Sequence, residues 1–571
     1  MVAHKHITKI IAVVMAAAVC LCLCAAAFSD QITAAAGDTG ISMAYETALF
    51  DTDSIISVNI RMDEADWNEM LENAAAEEYY QCDVEINGET FYRVGIRPKG
   101  NTSLTSIAND PTTDRYSFKL EFDHYVDGQT CFGLDKLVLN NNYADATNMK
   151  EALIYDMYQY LGADASLYNY AKISVNGEYW GVYLALEAVE DSFLLRNYGA
   201  ESGALYKPDS MNMGGGKDFG DFDAGNMDFG DIDFGSTGFG DMTPPDRQET
   251  GGQVNMPQFP SQQANENNEN TAEAPTDSGE RPEMSFDFAG GMNAFSMSGD
   301  GADLNYTDDE LDSYETIWDG EVTSTKKSDH KRVVTALRNI SEGNDLEDYM
   351  DIDNLLRYMA VHVFSVNEDS LSGNMAHNYY LYESGGRLNI LPWDYNLALG
   401  GMGGGNDAAS VVNDAIDNAF SGTTFFDTLM ADETYHSQYY AYLQQLVSEY
   451  IDGGGFDTFY ERVRSQIDTL VETDPTAFYS YEEYLTAAET LYQVVKLRGQ
   501  SIRGQLDGTI PSTAEKQRES DALIDASSLD LSAMGSMNTG MPADNTQTAP
   551  DGERVEKAAG EARRSFHTRG G

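Results

Sequence analysis

The sequence predicts an α+β fold in which a strand-rich first part precedes a mainly helical second part. Two Asn-Gly turns, Asn87-Gly88 and Asn176-Gly177, lie between runs of alternating apolar residues, the pattern of β-hairpins. Stretches with apolar residues at helical spacing fill much of the chain after Asp329. Between the two parts, residues 209–300 are rich in Gly, Met, Asn, Asp, Gln and Pro, with 18 acidic residues against three basic ones and almost no Ile, Leu or Val. Such a segment buries too little apolar surface to offset its chain entropy and is expected to be a disordered insertion.

The N-terminus places Lys5 and Lys9 before an apolar run from Ile10 to Phe28, with Ala25-Ala26-Ala27 and Ala34-Ala35-Ala36 as small-residue cleavage sites. This is the layout of a secretory signal, and the run is also long enough for an uncleaved membrane anchor. Residues 29–45 read as a linker and 46–208 as the strand-rich part. There, Val84 and Ile86 lead into Asn87-Gly88, Tyr92, Val94 and Ile96 lead out, and Phe118, Leu120 and Phe122 mark a further strand. A helix is expected from Asn148 to Leu161, with Asn148 and Glu151 spaced as a capping box and Met149, Leu153, Met157 and Leu161 as its apolar stripe. The second hairpin, in "AKISVNGEYWGVYLALEAVEDSFLL", runs into a helix near Asp191. Residues 301–510 carry helical patterns around Asp329–Asn339, Met350–Ser365, Tyr435–Tyr450 and Tyr481–Leu506. Residues 511–571, rich in Ser, Ala, Gly and Asp and closing on a basic patch from Arg554 to Arg569, read as a disordered tail.

The 571 residues offer room for two to four average domains, or for one large bilobed domain with unstructured additions. A formal charge of −59 repels nucleic acid and anionic membranes and favours basic polypeptides and divalent cations. Cys20, Cys22 and Cys24 lie inside the apolar run; Cys82 and Cys131 form either one disulfide or two separate buried thiols.

Three stretches crowd polar residues onto otherwise regular elements. In "GIRPKGNTSL", Arg97 and Lys99 lead from a strand into a Gly-Asn-Thr-Ser loop, where small residues let backbone N–H groups approach an anion. In "VFSVNEDSLSGNMAHNYYLY", Asp369 follows a helix and Asn378 precedes a strand; in "LNILPWDYNLALGG", Asp394 and Asn396 end the next strand. A carboxylate and an amide oxygen are suitable hard ligands for Mg²⁺, and a second carboxylate can orient or deprotonate a hydroxyl. A basic turn or a solvated acidic loop is the ordinary explanation for any one of these alone.

Taken together with "NMKEALIYDMYQYLG", "VNGEYWGVYLALEAVEDSFL" and "DDELDSYETIW", these blocks resemble the spore coat protein H (CotH) kinase family, over about Tyr45 to Tyr206 and Leu304 to Thr509. The resemblance implies a bilobed protein-kinase-like fold, with a β-rich N-lobe and a mainly helical C-lobe. It also implies an atypical secreted or coat-located kinase that uses ATP and Mg²⁺ or Mn²⁺ to phosphorylate Ser or Thr of secreted, surface or spore coat proteins. Its implied nucleotide-binding residues are Arg97, Lys99, Asn101 and Ser103 over the phosphates, Lys119 as the phosphate lysine, Glu151 as the supporting acid (Asp156 being the other candidate) and Glu187 at the end of the hairpin. Asp369 matches the catalytic aspartate and Asp394 the metal-binding aspartate. Asn378 would hold a second metal, with Asn374 as its rival, and Asn396 is an additional ligand candidate. His362 and His377 are expected in core or hydrogen-bonding roles.

The chain departs from the common kinase pattern in having no His-Arg-Asp before the catalytic loop and no Walker-type Gly-Lys-Ser/Thr. Asp-Phe-Gly occurs three times, at 218–220, 228–230 and 233–235, but no strand pattern leads into any copy and all precede Asp369. They read as by-products of composition. The expected activity is transfer of the ATP γ-phosphate to a basic, Ser/Thr-rich protein at a bacterial surface or spore coat. The alternatives are a non-catalytic surface or coat scaffold, and a kinase-like transferase that moves another nucleotide-derived group.

Overall fold

The computed structural model describes residues 40–200, 203–208, 301–373, 376–402, 407–418, 420 and 422–537. The N-terminal apolar run, the insertion with its Asp-Phe-Gly triplets, Asn374 and the basic patch lie outside these residues. Ten strands are labelled: β1 (Ile56–Arg61), β2 (Tyr80–Ile86), β3 (Glu89–Lys99), β4 (Ser117–Glu121), β5 (Lys136–Asn140), β6 (Tyr168–Val175), β7 (Glu178–Glu187), β8 (Ala204–Tyr206), β9 (Tyr379–Ser384) and β10 (Arg387–Pro392). The longer helices are α1 (Glu64–Glu72), α2 (Lys150–Leu161), α3 (Asp191–Tyr198), α4 (Lys327–Glu342), α5 (Ile352–Ser365), α6 (Glu433–Gln445), α7 (Gly455–Glu472) and α8 (Tyr481–Asp507).

The β-rich first part is a closed barrel of strand order β1-β2-β3-β4-β5-β7-β6, with β6 returning to pair in parallel with β1. Both Asn-Gly turns put two successive residues at positive φ, Asn87 at 50° and Gly88 at 88°, Asn176 at 51° and Gly177 at 88°. That conformation matches the right-handed twist of the strands it joins. Val58, Ile86, Ile96, Leu120, Leu139 and Ile173 are among the fully buried residues filling the barrel. Each contributes about 1.5–3 kcal/mol by leaving water. Because side chains alternate, the residues between them face outward: Arg97 pairs across from Lys119, and Lys99 from Ser117, on the outer face of β3 and β4.

Helix α2 packs against the outer side of the neighbouring strands β5, β6 and β7, in one core with Val138, Tyr168, Tyr170 and Leu184. Met149, Leu153, Met157 and Leu161 are buried as expected, and so is most of the rest of the helix. The expected capping box is not made. Asp145 accepts from the Lys150 N–H at 3.0 Å, which leaves Glu151 facing the sheet. Strand β8 precedes the insertion, yet it joins β9 and β10 in a three-stranded sheet of the helical part.

Cys82 and Cys131 are free, buried thiols, so the disulfide alternative is corrected. Cys82 points its sulfur at the Val94 carbonyl across the β2–β3 ladder, and each thiol is taken up separately by the barrel core. The expected tail from 511 is also corrected, because the chain remains packed as far as 537. Ala526 and Met534 are fully buried, the Ala146 N–H donates to Met534 O at 3.0 Å, and the Met537 N–H donates to Gly401 O at 2.9 Å. A few apolar anchors thus suffice to hold a Ser- and Asp-rich strap. Met534→Ala is expected to lower unfolding free energy by about 2–4 kcal/mol in chemical denaturation. Among the described residues no helix is long and apolar enough to cross a membrane.

Candidate active site

The site begins with the β9–β10 hairpin, which delivers Trp393-Asp394-Tyr395 beside the start of α2 and the end of α5. Trp393 and Tyr395 are buried, while Asp394 between them keeps part of its surface open. The Tyr395 hydroxyl fixes this segment, meeting Tyr158 Oη of α2 at 2.6 Å and His362 Nδ1 of α5 at 3.0 Å. Asp394 has φ of 62°, an unusual backbone for a non-glycine residue, and its carbonyl accepts from Asn367 Nδ2 at 3.1 Å. Strain of this kind persists only where the surroundings over-determine it.

Asp369 lies just beyond α5, in a turn closed so tightly that a Cβ on Gly373 would collide with the Glu368 carbonyl. Both of its carboxylate oxygens are engaged. His377 Nε2 lies 2.7 Å from Oδ1, and Asn378 Nδ2 donates to Oδ2 at 3.1 Å and to the Asp369 carbonyl at 2.9 Å. Asn378 itself sits at φ of 58°, which turns its amide back into the loop.

From the barrel, Lys99 reaches the same cleft at the end of β3. Its Nζ donates to Asn140 Oδ1 at 3.0 Å, and Asn140 Nδ2 donates to Glu151 Oε2 at 2.8 Å. One amide therefore bridges a lysine and an acid. Burial lowers the Lys99 pKa, against the opposing pull of Asp394, Glu151 and Glu77. Burial and the Asp394 charge push the Glu151 carboxyl up to about 8. Burial likewise raises Asp394; Lys99 opposes that rise, Asp369 adds to it, and Lys207 and His377 oppose it. Lys99, Glu151, Asp369 and Asp394 thus share one electrostatic neighbourhood.

Other residues expected at the site are placed elsewhere or serve the frame. Lys119 does not meet Glu151. It pairs with Glu190, as does Lys136, and although burial acts the other way these two cations hold the Glu190 carboxyl below its ordinary value. Lys119 lies two pairs further along the ladder than Lys99, which is enough to direct it to another partner. Glu187 is fully buried, taking two hydrogen bonds from Arg196 at 2.9 and 2.7 Å and one from Tyr45 Oη at 2.6 Å. Asp156 accepts from Tyr450 Oη at 2.5 Å and Arg462 at 3.2 Å, away from the cleft. Arg97 pairs with Glu77 and stacks on Tyr79, and Asn396 donates to Tyr143 O at 3.0 Å. Asn101 is exposed and Ser103 half-buried, flanking the start of the short helix Thr102–Ala108. His362 is a core residue whose pKa burial lowers to about 3.

Asn140, Asn367 and Lys207 are not among the residues expected in this cleft, and His377 is expected in a core or hydrogen-bonding role. The signal for Asn140 was present in the run Asn140-Asn141-Asn142, three amides at a strand end. Nothing local marks Lys207.

Compared with known families, residues 96–502 match the model described as CotH kinase protein, which spans most of the chain and every cleft residue above. The chain belongs to the CotH kinase family. No curated protein gives a significant match. Membership supports a kinase-like activity for this CotH-family chain.

The two raised carboxyls give the family member a pH signature. Glu151 holds its proton more tightly folded than unfolded, so its contribution to stability is full below about 4.5 and is lost as pH rises through about 8. Asp394 acts in the same sense. Melting temperatures of the nucleotide-free protein are expected to fall across this window, and more steeply than those of Glu151→Gln.

The donor set suits a hard cation. Among the described residues no cluster of three or more His, Cys, Asp or Glu forms a metal site. Mg²⁺, however, is ordinarily held by one or two carboxylates together with substrate phosphates, and a carboxylate such as that of Asp394 and an amide oxygen such as that of Asn378 are donors of the kind it takes.

Proposed function

We propose that this protein is an ATP-dependent Ser/Thr protein kinase of CotH type, with the barrel and the helical part acting as the two lobes of a kinase-like fold around the Asp369–Asp394 cleft. The observation that carries the reading is the convergence of Asp369, Asp394 and the Lys99–Asn140–Glu151 chain, from separate elements, on one partly open site. Asp369, its oxygens aligned by His377 and Asn378, would orient the acceptor hydroxyl and receive its proton as the γ-phosphoryl group moves to that oxygen and ADP departs. Lys99 would hold phosphate oxygens. Asp394 and Asn378 would hold the divalent cation, which when bound neutralises phosphate charge. Catalysis is then positioning plus charge stabilisation.

A charge of −59 suits a basic, Ser/Thr-rich protein substrate. The signal-like N-terminus and the family support a substrate at a cell surface or spore coat. The test is to incubate the mature protein with γ-labelled ATP, Mg²⁺ or Mn²⁺ and a basic Ser-rich protein, beside Asp369→Asn. Label on Ser or Thr that depends on Asp369 supports the reading. Wild type that transfers no more label than the folded variant defeats it, and adenylated product in mass spectra would redirect it to another transferase chemistry.

A further inference from the structure

We propose that Lys207 is a second polyphosphate-binding lysine of this cleft, contacting the nucleotide phosphates from the helical part as Lys99 does from the barrel. The inference rests on the kinase reading above and adds a residue to it.

Lys207 follows β8 directly, and β8 pairs with β9 in register Tyr206 to Leu381. Its ammonium lies 5.7 Å from the Tyr380 ring centroid and 5.5 Å from that of Trp393, while the Lys99 ammonium lies 5.6 Å from the same Trp393 ring. Two cations from unrelated elements therefore flank the aromatic residue that precedes Asp394. Both oppose the rise in the Asp394 pKa. Both residues are half-buried rather than sealed in the core.

The backbone is built to hold Lys207 there. Its N–H donates to the Gly320 carbonyl at 2.7 Å, and a Cβ on Gly320 would collide with the Lys207 carbonyl, so two chain segments meet as closely as backbones can. Fixing a lysine this firmly beside the Trp393-Asp394 segment makes chemical sense if a polyanion enters. A metal-bound triphosphate still carries negative charge, and the Asp369 and Asp394 carboxylates repel it. One lysine answers only part of that repulsion. Lys207, over the Trp393 ring, adds a second lysine charge that acts on Asp394.

A purely structural role, clamping the Tyr380 and Trp393 rings, makes a different prediction, and calorimetry separates the two. Wild type, Lys207→Met and Lys207→Arg are titrated with Mg-ATP, Mg-tripolyphosphate and adenosine, and their melting temperatures are compared. The proposal expects Lys207→Met to weaken Mg-ATP and Mg-tripolyphosphate by roughly 10- to 100-fold, the loss of one charge-assisted contact, while adenosine affinity and melting temperature hold and Lys207→Arg recovers most of the binding. Unchanged Mg-ATP affinity in Lys207→Met overturns it. So does an equal loss for Mg-ATP and adenosine with a lowered melting temperature. If wild type binds Mg-tripolyphosphate through Lys207 but not Mg-ATP, the lysine assignment stands and the kinase reading falls; if it binds neither, both fall.

Discussion

Asp394→Ala is expected to remove phosphotransfer almost completely, lowering kcat by about 10²–10³ or more, while the protein stays folded. The size follows from position. Asp394 is the carboxylate held between two buried aromatic side chains just past the end of a strand. Stability should not suffer, because burial and the Asp369 charge already disfavour an ionised group there. The variant's melting temperature should therefore equal or exceed that of wild type. A kinetic assay beside a thermal melt checks both halves, and retention of kcat would remove Asp394 from the mechanism.

Arg115→Met is expected to have the largest effect on the fold, about 3–5 kcal/mol, because it strands a buried partner. Arg115 is 2 % exposed and donates to Asp474 Oδ2 at 2.8 Å, Thr476 Oγ1 at 2.8 Å, Asn141 O at 3.1 Å and Val182 O at 2.6 Å. Its guanidinium also lies over the Tyr183 ring. One side chain thus ties the loop after α7 to the end of β5 and the middle of β7. Without it, Asp474 keeps the Val182 N–H as a partner but loses its counter-charge. Urea titration of the single variant against Arg115→Met with Asp474→Asn checks the cause, since removing the stranded charge should recover part of the loss.

The hairpins were legible because Asn-Gly turns and strict alternation are local signals, and α5 and α8 because their apolar spacing is long and regular. Strand β1 carries the same alternation in Ile56, Val58 and Ile60 but has no adjoining turn signal, and closure of the barrel depends on its parallel pairing with β6, which no local pattern announces. Helix α7 is equally silent. Its Gly-Gly-Gly entry at 453–455 reads as a break rather than a start. In the cleft, the order of Trp393, Asp394 and Tyr395 was readable from the alternation of large and acidic side chains. The choice between Lys99 and Lys119 was not. Both sit on outward positions of neighbouring strands, and only the register, with Asn140 opposite the end of the ladder, decides which lysine meets Glu151.

The pairing that closes the barrel also sets how this protein can fold. Ile56 must find Ala171, so β1 waits with one edge unsatisfied until the distant β6 has emerged. Contacts of such sequence separation are slow to form, and they expose strand edges and apolar faces in the meantime. Two buried thiols, Cys82 and Cys131, are accessible during that same interval and sealed after it. Refolding from denaturant is therefore expected to be slow, and thiol labelling during refolding would time the moment the barrel shuts.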